Sequence, residues 1–524
     1  MGCTGESAVY TLKSSKVKGV KNRGGTNMKK KIGLIGLSMV MAMTTLAGCG
    51  SSSGAGGGGK KPVLTVSVFA QEHEQAMYKE VISKFEEEND CKVDFQVAGD
   101  QYWPELEASL TANTAPDVFY LGIGDLKKRV WSEKVVALDE LLDTSSLDKI
   151  WPEALNLYRY DVENNVLGEG KIYALPKDFS AVSMAVNKAI INKRRPEVEA
   201  LVKSGDLPFF PEIDESGNLP VYTYTEFATL TKALTFEDDT LPATAGSKQV
   251  YGTHLWEDFT LQPFIWGAGG EYLSEDKTKV LYDTPEFIDG YEGFMKIVEM
   301  GGSGLSTDET TGYLKFLGGR AAYFPCGTWD VGAFQAIATD EVVNPNREWF
   351  DFDVAPWPIS DKYKDLPIEE RQDKWAGRVD SIGYAVSNSS KNKELGAKLA
   401  YTLSADEEVQ RFISKAGGQL PNIVDMAKGD YLTDDSYFPE SRVVFVNMLE
   451  GQNGKRVPST YTFNDLWHSE AFISGVDSVW SYYEKSDKGV TPMDVKTYIN
   501  SIADLAQQKL DESIEDEANV NPNN

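Results

Sequence analysis

Histidine and cysteine are scarce in this chain of 524 residues, which holds three histidines and four cysteines. The cysteines are Cys3, Cys49, Cys91 and Cys326. They form no CxxC pair, and no spacing among them and the histidines suits zinc. We therefore expect neither a transition-metal site nor a Cys–His nucleophile. For Cys91 and Cys326 two states stay open, a bridge formed in an oxidising compartment or two separate buried thiols, and we expect the thiols.

Positive charge is also in short supply, because the formal net charge is −28. Residues 1–48 carry eight Lys/Arg and one acid, so removing their net charge of +7 leaves −35 on the remainder. A surface this acidic repels phosphate backbones, and no basic stripe with interleaved aromatics offsets it. The composition therefore argues against nucleic-acid binding.

The apolar run near the N-terminus, residues 32–46, has fifteen residues and is too short to span about 30 Å of hydrocarbon. It follows Met28 and three lysines and ends in Leu-Ala-Gly before Cys49. This order predicts a secretory signal over residues 28–48, rather than an uncleaved anchor. The small residues before the cysteine resemble a bacterial lipobox, which implies that Cys49 carries a diacylglycerol. Residues 49–61, rich in Gly and Ser, are then a flexible tether.

Residues 1–27 are basic, show no periodic pattern, and end in Arg-Gly-Gly-Thr-Asn just before Met28. A purine-rich ribosome-binding site would translate as Gly-Gly at this distance from a start codon. We therefore interpret residues 1–27 as mistranslated leader and Met28 as the true start.

The remaining length predicts two domains or lobes, since one core rarely grows this large. Alternating apolar residues predict strands over residues 62–69, 91–97 and 117–121, and helical spacing predicts helices over 74–88 and 103–112. Strands that alternate with helices favour a mostly parallel, helix-covered sheet, which binds ligands at the carboxyl ends of its strands. Further strands are predicted at residues 172–176, 181–186, 321–324, 352–355 and 382–386, and helices at 224–234 and from 393 onward. The acidic tail from Asp511 is predicted to be a solvated helix end or disordered.

Catalytic motifs are not evident. G-x-S-x-G occurs in no catalytic context, and neither HExxH nor a P-loop occurs. Sequence alone does not exclude a glycosidase-like carboxylate pair, but no glycosidase-like motif surrounds any candidate. We expect no enzyme activity.

Several segments resemble one known family in their order and spacing. They include LTVSVFAQEHEQAMYKEVISKFEEENDCKVDF, TANTAPDVFYLGIGDL, GKIYALPKDFSAVSMAVNKAII, FLGGRAAYFPCGTWDVGAF and GRVDSIGYAVSNSSKNKELGAKLAYTLSADEEVQ. The matching segments are spread through almost all of residues 62–510 and resemble the extracellular solute-binding proteins of ABC importers, in the maltose-binding-protein-like group.

The resemblance implies an α/β fold of the two-lobed, type II periplasmic-binding-protein kind, in which each lobe is a helix-covered, mostly parallel sheet and a hinged cleft lies between them. It places the crossings between lobes near residues 175–178, near 358–376 and after Ala427. Lobe 1 is then expected at residues 62–176 and 377–427. Lobe 2 is expected at residues 177–376 and 428–524.

A sugar ring has an apolar face that suits flat aromatic side chains and a rim of hydroxyls that suits carboxylates, amides and arginine. The resemblance implies that Trp329, in Gly-Thr-Trp-Asp, stacks on the ligand. The other aromatic candidates, each with core packing as its rival, are Trp256, Tyr120, Trp266 and Trp467. The polar candidates are Glu72, Asp125, Asp178, Ser180, Asp330, Arg378 and Asp380. For Asp178 the alternative is a helix cap or a hinge hydrogen bond.

The sequence thus predicts a lipid-anchored, monomeric receptor on the outer face of the bacterial cytoplasmic membrane, as on a Gram-positive cell surface. It is expected to bind an uncharged sugar or oligosaccharide and to present it to an ABC permease. Because the partner ATPase supplies the energy, no cofactor is expected. Two alternatives stay open: a binder of a peptide, polyamine or metal complex with the same fold, and a surface enzyme that acts on polysaccharide.

Overall fold

Strands and helices alternate from Val63 onward in the computed structural model of this chain. The structure describes residues 61–523 apart from 71, 100, 216, 242–246, 257–259, 301, 307–308, 418, 451–452 and 456–494. The strands are β1 (Val63–Val68), β2 (Lys92–Val97), β3 (Val118–Gly122), β4 (Arg159–Asp161), β5 (Val166–Leu167), β6 (Lys171–Ile172), β7 (Ala174–Pro176), β8 (Ser180–Asn187), β9 (Phe236–Glu237), β10 (Gln249–Trp256), β11 (Ser303–Ser306), β12 (Ala321–Gly327), β13 (Phe352–Ala355), β14 (Gly377–Asp380), β15 (Ile382–Val386) and β16 (Gly454–Lys455).

The α-helices are α1 (Glu72–Glu88), α2 (Tyr102–Thr111), α3 (Leu126–Trp131), α4 (Pro152–Asn156), α5 (Lys188–Lys193), α6 (Arg195–Ser204), α7 (Tyr224–Ala233), α8 (Leu261–Gly267), α9 (Pro285–Glu299), α10 (Glu309–Leu317), α11 (Val331–Ala338), α12 (Ile368–Arg371), α13 (Lys393–Ala405), α14 (Glu407–Gly417), α15 (Val424–Lys428), α16 (Asp430–Thr433), α17 (Val443–Leu449) and α18 (Val495–Val520). The strands and helices predicted from local patterns are confirmed, most of them to within two residues at each end.

The first sheet has the strand order β2-β1-β3-β15-β7, and we call the body built around it the first lobe. Strands β2, β1 and β3 are parallel, whereas β15 runs antiparallel to both β3 and β7. The alternating pattern of β1 places Leu64, Val66 and Val68 in the core. The small sheet of β5, β4 and β6 packs on the same core through Tyr160 and Ile172.

Helix α1 covers this sheet because its apolar residues recur at helical spacing. Met77, Val81, Ile82 and Phe85 are buried, as the sequence pattern predicts. Burying side chains of this size stabilises the fold by roughly 1.5–3 kcal/mol each relative to leaving them exposed.

The second sheet has the order β11-β10-β12-β8-β14-β16, with β13 also paired to β8 and β9 to β10, and we call the body around it the second lobe. Strands β11, β10 and β12 are parallel, and β8 runs antiparallel to β12, β13 and β14. Apart from β8 and the two-residue β9, the strands of this sheet run in one direction, and in the first sheet β15 is the reversed strand. Each lobe is therefore the helix-covered, mostly parallel sheet that was predicted.

Two passages of the chain join the lobes side by side. The chain leaves the first sheet after β7 and enters the second at β8, and it returns directly from β14 to β15. Because β14 pairs with β8 and β15 with β7, the passages form an antiparallel ribbon through both lobes. The Lys177 backbone amide donates to the Ile382 carbonyl at 2.7 Å, and the Ser381 hydroxyl donates to the Asp178 carbonyl at 2.6 Å. We call these two passages, residues 174–187 and 377–386, the hinge ribbon.

The second crossing differs from its predicted position. The first lies at residues 177–179, beside the predicted 175–178. The second lies at Ser381 and not at 358–376, because residues 377–380 pair with β8 in the second sheet. The third, expected after Ala427, stays a prediction, because residues 420–427 contact both lobes: Leu420 and Ala427 lie in the second core, whereas Ile423 pairs with Ile150 of the first. Residues 377–380 therefore belong to the second lobe, since their pairing with β8 decides this and their local sequence does not.

Cys91 and Cys326 are free, buried thiols, and each lies in the core of a different lobe. The expectation of two separate thiols is confirmed. Burial raises the pKa of Cys91, which keeps the thiol protonated and unreactive.

None of the helices formed by the described residues has the length and apolar character needed to cross a membrane. The predicted leader, signal peptide and Cys49, with the tether up to residue 60, lie outside the described residues.

Candidate functional site

A cleft of about 660 Å³ lies between the two lobes. Its first-lobe lining follows directly on three parallel strands, with residues 69–70 after β1, 98–99 after β2 and 122–124 after β3. The predicted location at the carboxyl ends of the parallel strands is thus confirmed. The volume falls in the range of small-molecule sites, roughly 300–1,000 Å³.

Aromatic rings dominate the first-lobe wall of the cleft. Phe69, Tyr102 and Trp103 pack edge to face, with ring centroids 5.0 to 5.9 Å apart. The Tyr102 hydroxyl donates to the Ser67 carbonyl at 3.1 Å and accepts from the Tyr120 amide at 2.8 Å, which fixes the start of α2. Trp103 is 40% exposed and lines the cleft, so a broad apolar ring surface is available to a ligand.

The second-lobe wall carries Trp329 on a short turn, Thr328–Asp330, that follows β12. Asp330 is buried, and its carboxylate accepts from the Gly327 amide at 3.1 Å. A Cβ on Gly327 would lie 2.3 Å from the Trp329 ring, so the ring occupies the space that a side chain at 327 would need. The Gly-Thr-Trp-Asp sequence therefore positions Trp329 against its own backbone turn.

An ion pair on the hinge ribbon borders the same wall. Arg378 donates through two nitrogens to one Asp380 oxygen, at 2.6 and 3.2 Å. The other Asp380 oxygen accepts from the Ser381 amide at 2.9 Å. Both side chains line the cleft and are less than one-third exposed, so they present fixed donors and acceptors to a ligand.

The floor of the cleft is a buried ion cluster of Glu74, Lys177 and Asp178. Lys177 Nζ lies 3.0 Å from Glu74 and 2.9 Å from Asp178. Ser180 donates to Asp178 at 2.7 Å, and Gln419 donates to Glu74 at 2.8 Å. Burial opposes the charged lysine, but the two carboxylates raise the pKa of Lys177 well above its usual value. Lys177 is therefore a buried cation shared by two carboxylates, and the cluster ties α1 of the first lobe to the hinge ribbon.

Three buried tyrosines support this floor within the first-lobe core. The Tyr78 hydroxyl lies 2.7 Å from those of Tyr120 and Tyr384. Burial raises the pKa of Tyr78 to about 12 and the pKa values of Tyr120 and Tyr384 well above the usual range. Tyr120 is thus a fully buried core residue and does not line the cleft, because its hydroxyl is hydrogen-bonded to the Tyr78 hydroxyl inside the core.

The structure brings together five of the predicted site residues in the cleft: Asp178, Ser180, Trp329, Arg378 and Asp380. Three other candidates, like Tyr120, do not line it. Trp266 is buried in the second-lobe core against Tyr272, since its helix α8 is buried along its whole length. Asp330 acts as the cap of the Trp329 turn, and Asp125 lies 3.5 Å from Arg129 beside the cleft-lining Gly124.

Three predicted site residues remain untested. Trp467 lies outside the described residues, as do the side chains of Glu72, the first residue of α1, and Trp256, the last residue of β10.

Sequence reasoning missed Phe69, Trp103, Glu74 and Lys177 as cleft residues. Trp103 is read from sequence as a packing residue, yet it lies at the start of α2, where the loop after β2 enters the cleft. The available signal was its position at the carboxyl end of a parallel strand. Lys177 adjoins the predicted Asp178, and its role depends on Glu74, more than one hundred residues earlier.

The arrangement suits binding of a polar, uncharged solute. Each charged side chain named in the cleft lining lies against a side chain of opposite charge: Glu74 and Asp178 against Lys177, and Asp380 against Arg378. Within the part of the chain that the structure describes, no group of three His, Cys, Asp or Glu side chains is placed to hold a metal ion.

Comparison with known proteins gives the following findings. Residues 70–411 match the family described as bacterial extracellular solute-binding protein. A search of curated proteins finds no match. Among solved structures, an ABC transporter solute-binding protein from Thermotoga lettingae bound with α-D-tagatose has 19% identity and a TM-score of 0.64, covering 86% of this chain and 100% of its own.

Two further structures have the same fold. An ABC substrate-binding protein from Listeria monocytogenes in complex with cycloalternan has 19% identity and a TM-score of 0.60, covering 87% of this chain and 100% of its own. A maltose/maltodextrin-binding domain from Bdellovibrio bacteriovorus bound to maltotriose has 16% identity and a TM-score of 0.58, covering 86% of this chain and 100% of its own. These likenesses establish the two-lobed binding-protein fold.

Proposed function

Because this chain belongs to the family of bacterial extracellular solute-binding proteins, we propose that it captures an uncharged sugar or oligosaccharide in its cleft and delivers it to an ABC permease. The observation that carries the proposal is the cleft itself, which combines an exposed tryptophan on the first wall and a half-buried tryptophan on the second with charged side chains that already have partners of opposite charge. The proposal extends to all five predicted cleft residues as ligand contacts, and adds Phe69 and Trp103.

The paired charges support a neutral ligand. A polyamine or a charged peptide needs an opposing charge in its site, because an unpaired buried charge is costly. Here each of the three cleft carboxylates lies within 3.0 Å of a lysine or arginine nitrogen, and with two cations the formal charge of the set is +2 − 3 = −1. A cationic ligand would have to share carboxylates that already hold Lys177 or Arg378, although the body as a whole is strongly acidic.

The mixture of flat rings and fixed polar groups supports a sugar among neutral ligands. Trp103 and Trp329 offer ring faces to the apolar side of a pyranose, and Arg378, Asp380 and Ser180 offer donors and acceptors to its hydroxyls. The structural neighbours bound with tagatose, cycloalternan and maltotriose show the same fold with carbohydrates of different size. A cleft of about 660 Å³ accommodates more than one sugar ring.

Capture on this fold works by closure of the two lobes about the hinge ribbon. A ligand shifts the equilibrium toward the closed form only if it binds that form more tightly, which requires contact with both walls. The first wall supplies most of the ring surface, and the second wall with the ribbon supplies Trp329 and the ion pair. Neither wall alone satisfies both the face and the rim of a sugar.

We further propose that the receptor is a monomer held at the outer face of the cytoplasmic membrane by a diacylglycerol on Cys49. Two acyl chains anchor stably, whereas a single chain holds only marginally. The proposal predicts that Cys49→Ser releases the protein from the membrane fraction while its ligand affinity is unchanged. Membrane retention of the Cys49→Ser variant, or a membrane-bound parent protein whose Cys49 carries no lipid, would contradict it.

The deciding experiment is titration calorimetry with maltotriose, mannotriose and tagatose, beside a polyamine and a short peptide. The proposal expects heat from at least one saccharide and none from the polyamine or the peptide. Saccharides recovered after binding are analysed for cleavage, since a receptor returns its ligand unchanged and a polysaccharide-acting enzyme does not. Binding of the polyamine or the peptide alone would contradict the sugar assignment and leave the family intact.

A further inference from the structure

The C-terminal helix α18 contacts both lobes. It has 26 residues, which corresponds to a length of about 39 Å. Its first four turns lie on the second lobe, and its last two turns and the residues after it reach the first lobe. Apart from the hinge crossings, it is therefore a further connection between two bodies that are expected to rotate relative to each other.

The attachment of α18 to the second lobe is apolar and extensive. Tyr498, Ile499, Ala506 and Leu510 are buried in the second-lobe core. Further along the helix, the Gln507 side chain accepts from the Val280 amide at 2.9 Å and donates to the Thr278 carbonyl at 3.0 Å. This part of the helix moves with the second lobe.

The attachment to the first lobe is small and polar. Lys127 Nζ lies 2.7 Å from the Glu517 carboxylate, and the two side chains are 14% and 20% exposed. Asn165 donates to the same Glu517 oxygen at 3.2 Å. Asn523 donates to the Val162 carbonyl. Partial burial limits screening by salt, so this contact is stronger than an exposed pair.

The first-lobe partners of this contact belong to two elements, one of which adjoins the cleft. Lys127 lies in the first turn of α3, three residues after Gly124, which lines the cleft. Val162 and Asn165 belong to the β4–β5 hairpin, whose Tyr160 is in the first-lobe core. A rigid helix fixed on one lobe cannot keep all these contacts if the other lobe rotates.

We propose that the C-terminal end of α18, residues 511–523, is a strap that holds the two lobes in the arrangement seen here and must release for the cleft to close. The cleft in this arrangement leaves Trp103 40% exposed, so it is accessible to ligand. The strap thereby sets the fraction of closed molecules and with it the apparent affinity. The predicted effect on apparent affinity rests on the proposed function. The restraint itself does not, since it is measured without ligand.

The test is small-angle scattering of the whole ligand-free chain with Glu517→Gln. Loss of the charge weakens the contacts to Lys127 and Asn165, so we expect the radius of gyration to fall by about 1 Å as closed molecules accumulate. Lys127→Gln, on the other lobe, should give the same change, and the double variant should add little to either.

Glu512→Gln is the matched control, because Glu512 binds only Gln508 and Lys509 of α18 itself among its described contacts. It removes the same charge from the same helix and should leave the radius of gyration unchanged. Equal radii for Glu517→Gln, Glu512→Gln and the parent would overturn the strap, and so would expansion of Glu517→Gln. Because no ligand is added, either result is separate from failure of the sugar assignment.

Discussion

The two walls of the cleft carry different kinds of side chain. The first-lobe wall is a cluster of aromatic rings, Phe69, Tyr102 and Trp103, held by mutual edge-to-face packing. Among its described side chains, the second-lobe wall has one cleft-lining tryptophan, Trp329, and the Arg378–Asp380 ion pair of the hinge ribbon. The first wall thus offers mainly apolar surface, whereas the second offers one ring and directed polar groups. A ligand with both an apolar face and polar groups therefore makes its full set of contacts only when both walls touch it.

Removing the lysine of the ion cluster at the floor of the cleft should have the largest effect, and this effect is on stability. Lys177→Met leaves Glu74 and Asp178 buried without their cation, and we expect a loss of roughly 3–5 kcal/mol in the free energy of unfolding. Chemical denaturation measures it. Lys149→Met is the control, because the Lys149–Glu407 pair is more exposed and should be worth at most about 1 kcal/mol. A similar, small loss for both variants would show that the floor is not a coupled cluster.

The next largest effect should follow from removing the ring of the second wall. Trp329→Ala is expected to cost about 2 kcal/mol of binding free energy, roughly 30-fold in Kd, for whichever saccharide binds in calorimetry. Trp349→Ala is the control, since Trp349 is a half-buried second-lobe tryptophan that does not line the cleft. Unchanged affinity for Trp329→Ala would remove the second wall from the site.

Alkaline pH should destabilise the protein through the buried tyrosines beneath the first wall. Burial raises the pKa of Tyr78 to about 12 from 10, so between these values the folded state keeps a proton that the unfolded state loses. Stability therefore falls as pH rises, by about 1.4 kcal/mol per pH unit. The raised pKa of Lys177 acts in the same direction above its ordinary value of 10.5. Tyr78→Phe should flatten the decline in melting temperature above pH 10, and an unchanged slope would count against the buried hydroxyl chain.

The smallest effect is expected on the first wall. Trp103→Ala should cost about 1 kcal/mol, roughly fivefold in Kd, because Phe69 and Tyr102 remain to cover part of the ring surface. Trp103→Phe should retain most of the affinity. If Trp103→Ala proved costlier than Trp329→Ala, the relative weight of the two walls would be reversed.

Much of the fold was predictable because it depends on local patterns. The alternating residues of β1 and the helical spacing of Met77, Val81 and Phe85 identify their elements without any partner. The family resemblance implied that Trp329 stacks on a ligand, and the structure places Trp329 in the lining of the cleft. The division of the chain between lobes was less predictable, since residues 377–380 are a short strand whose pairing with β8 is a long-range choice.

By itself, the sequence determined the order of strands and helices, the parallel-sheet lobes and the edge of the first sheet that the cleft adjoins, because these follow from the periodicity and alternation of short segments. Only the tertiary structure decided which aromatic residues face the cleft and which fill the core. Tyr120 and Trp266 became core residues, and Trp103 became part of a wall, through contacts with residues far away in the chain. The pairing of Tyr78 with Tyr384 spans 306 residues, and no local pattern encodes a neighbour at that distance.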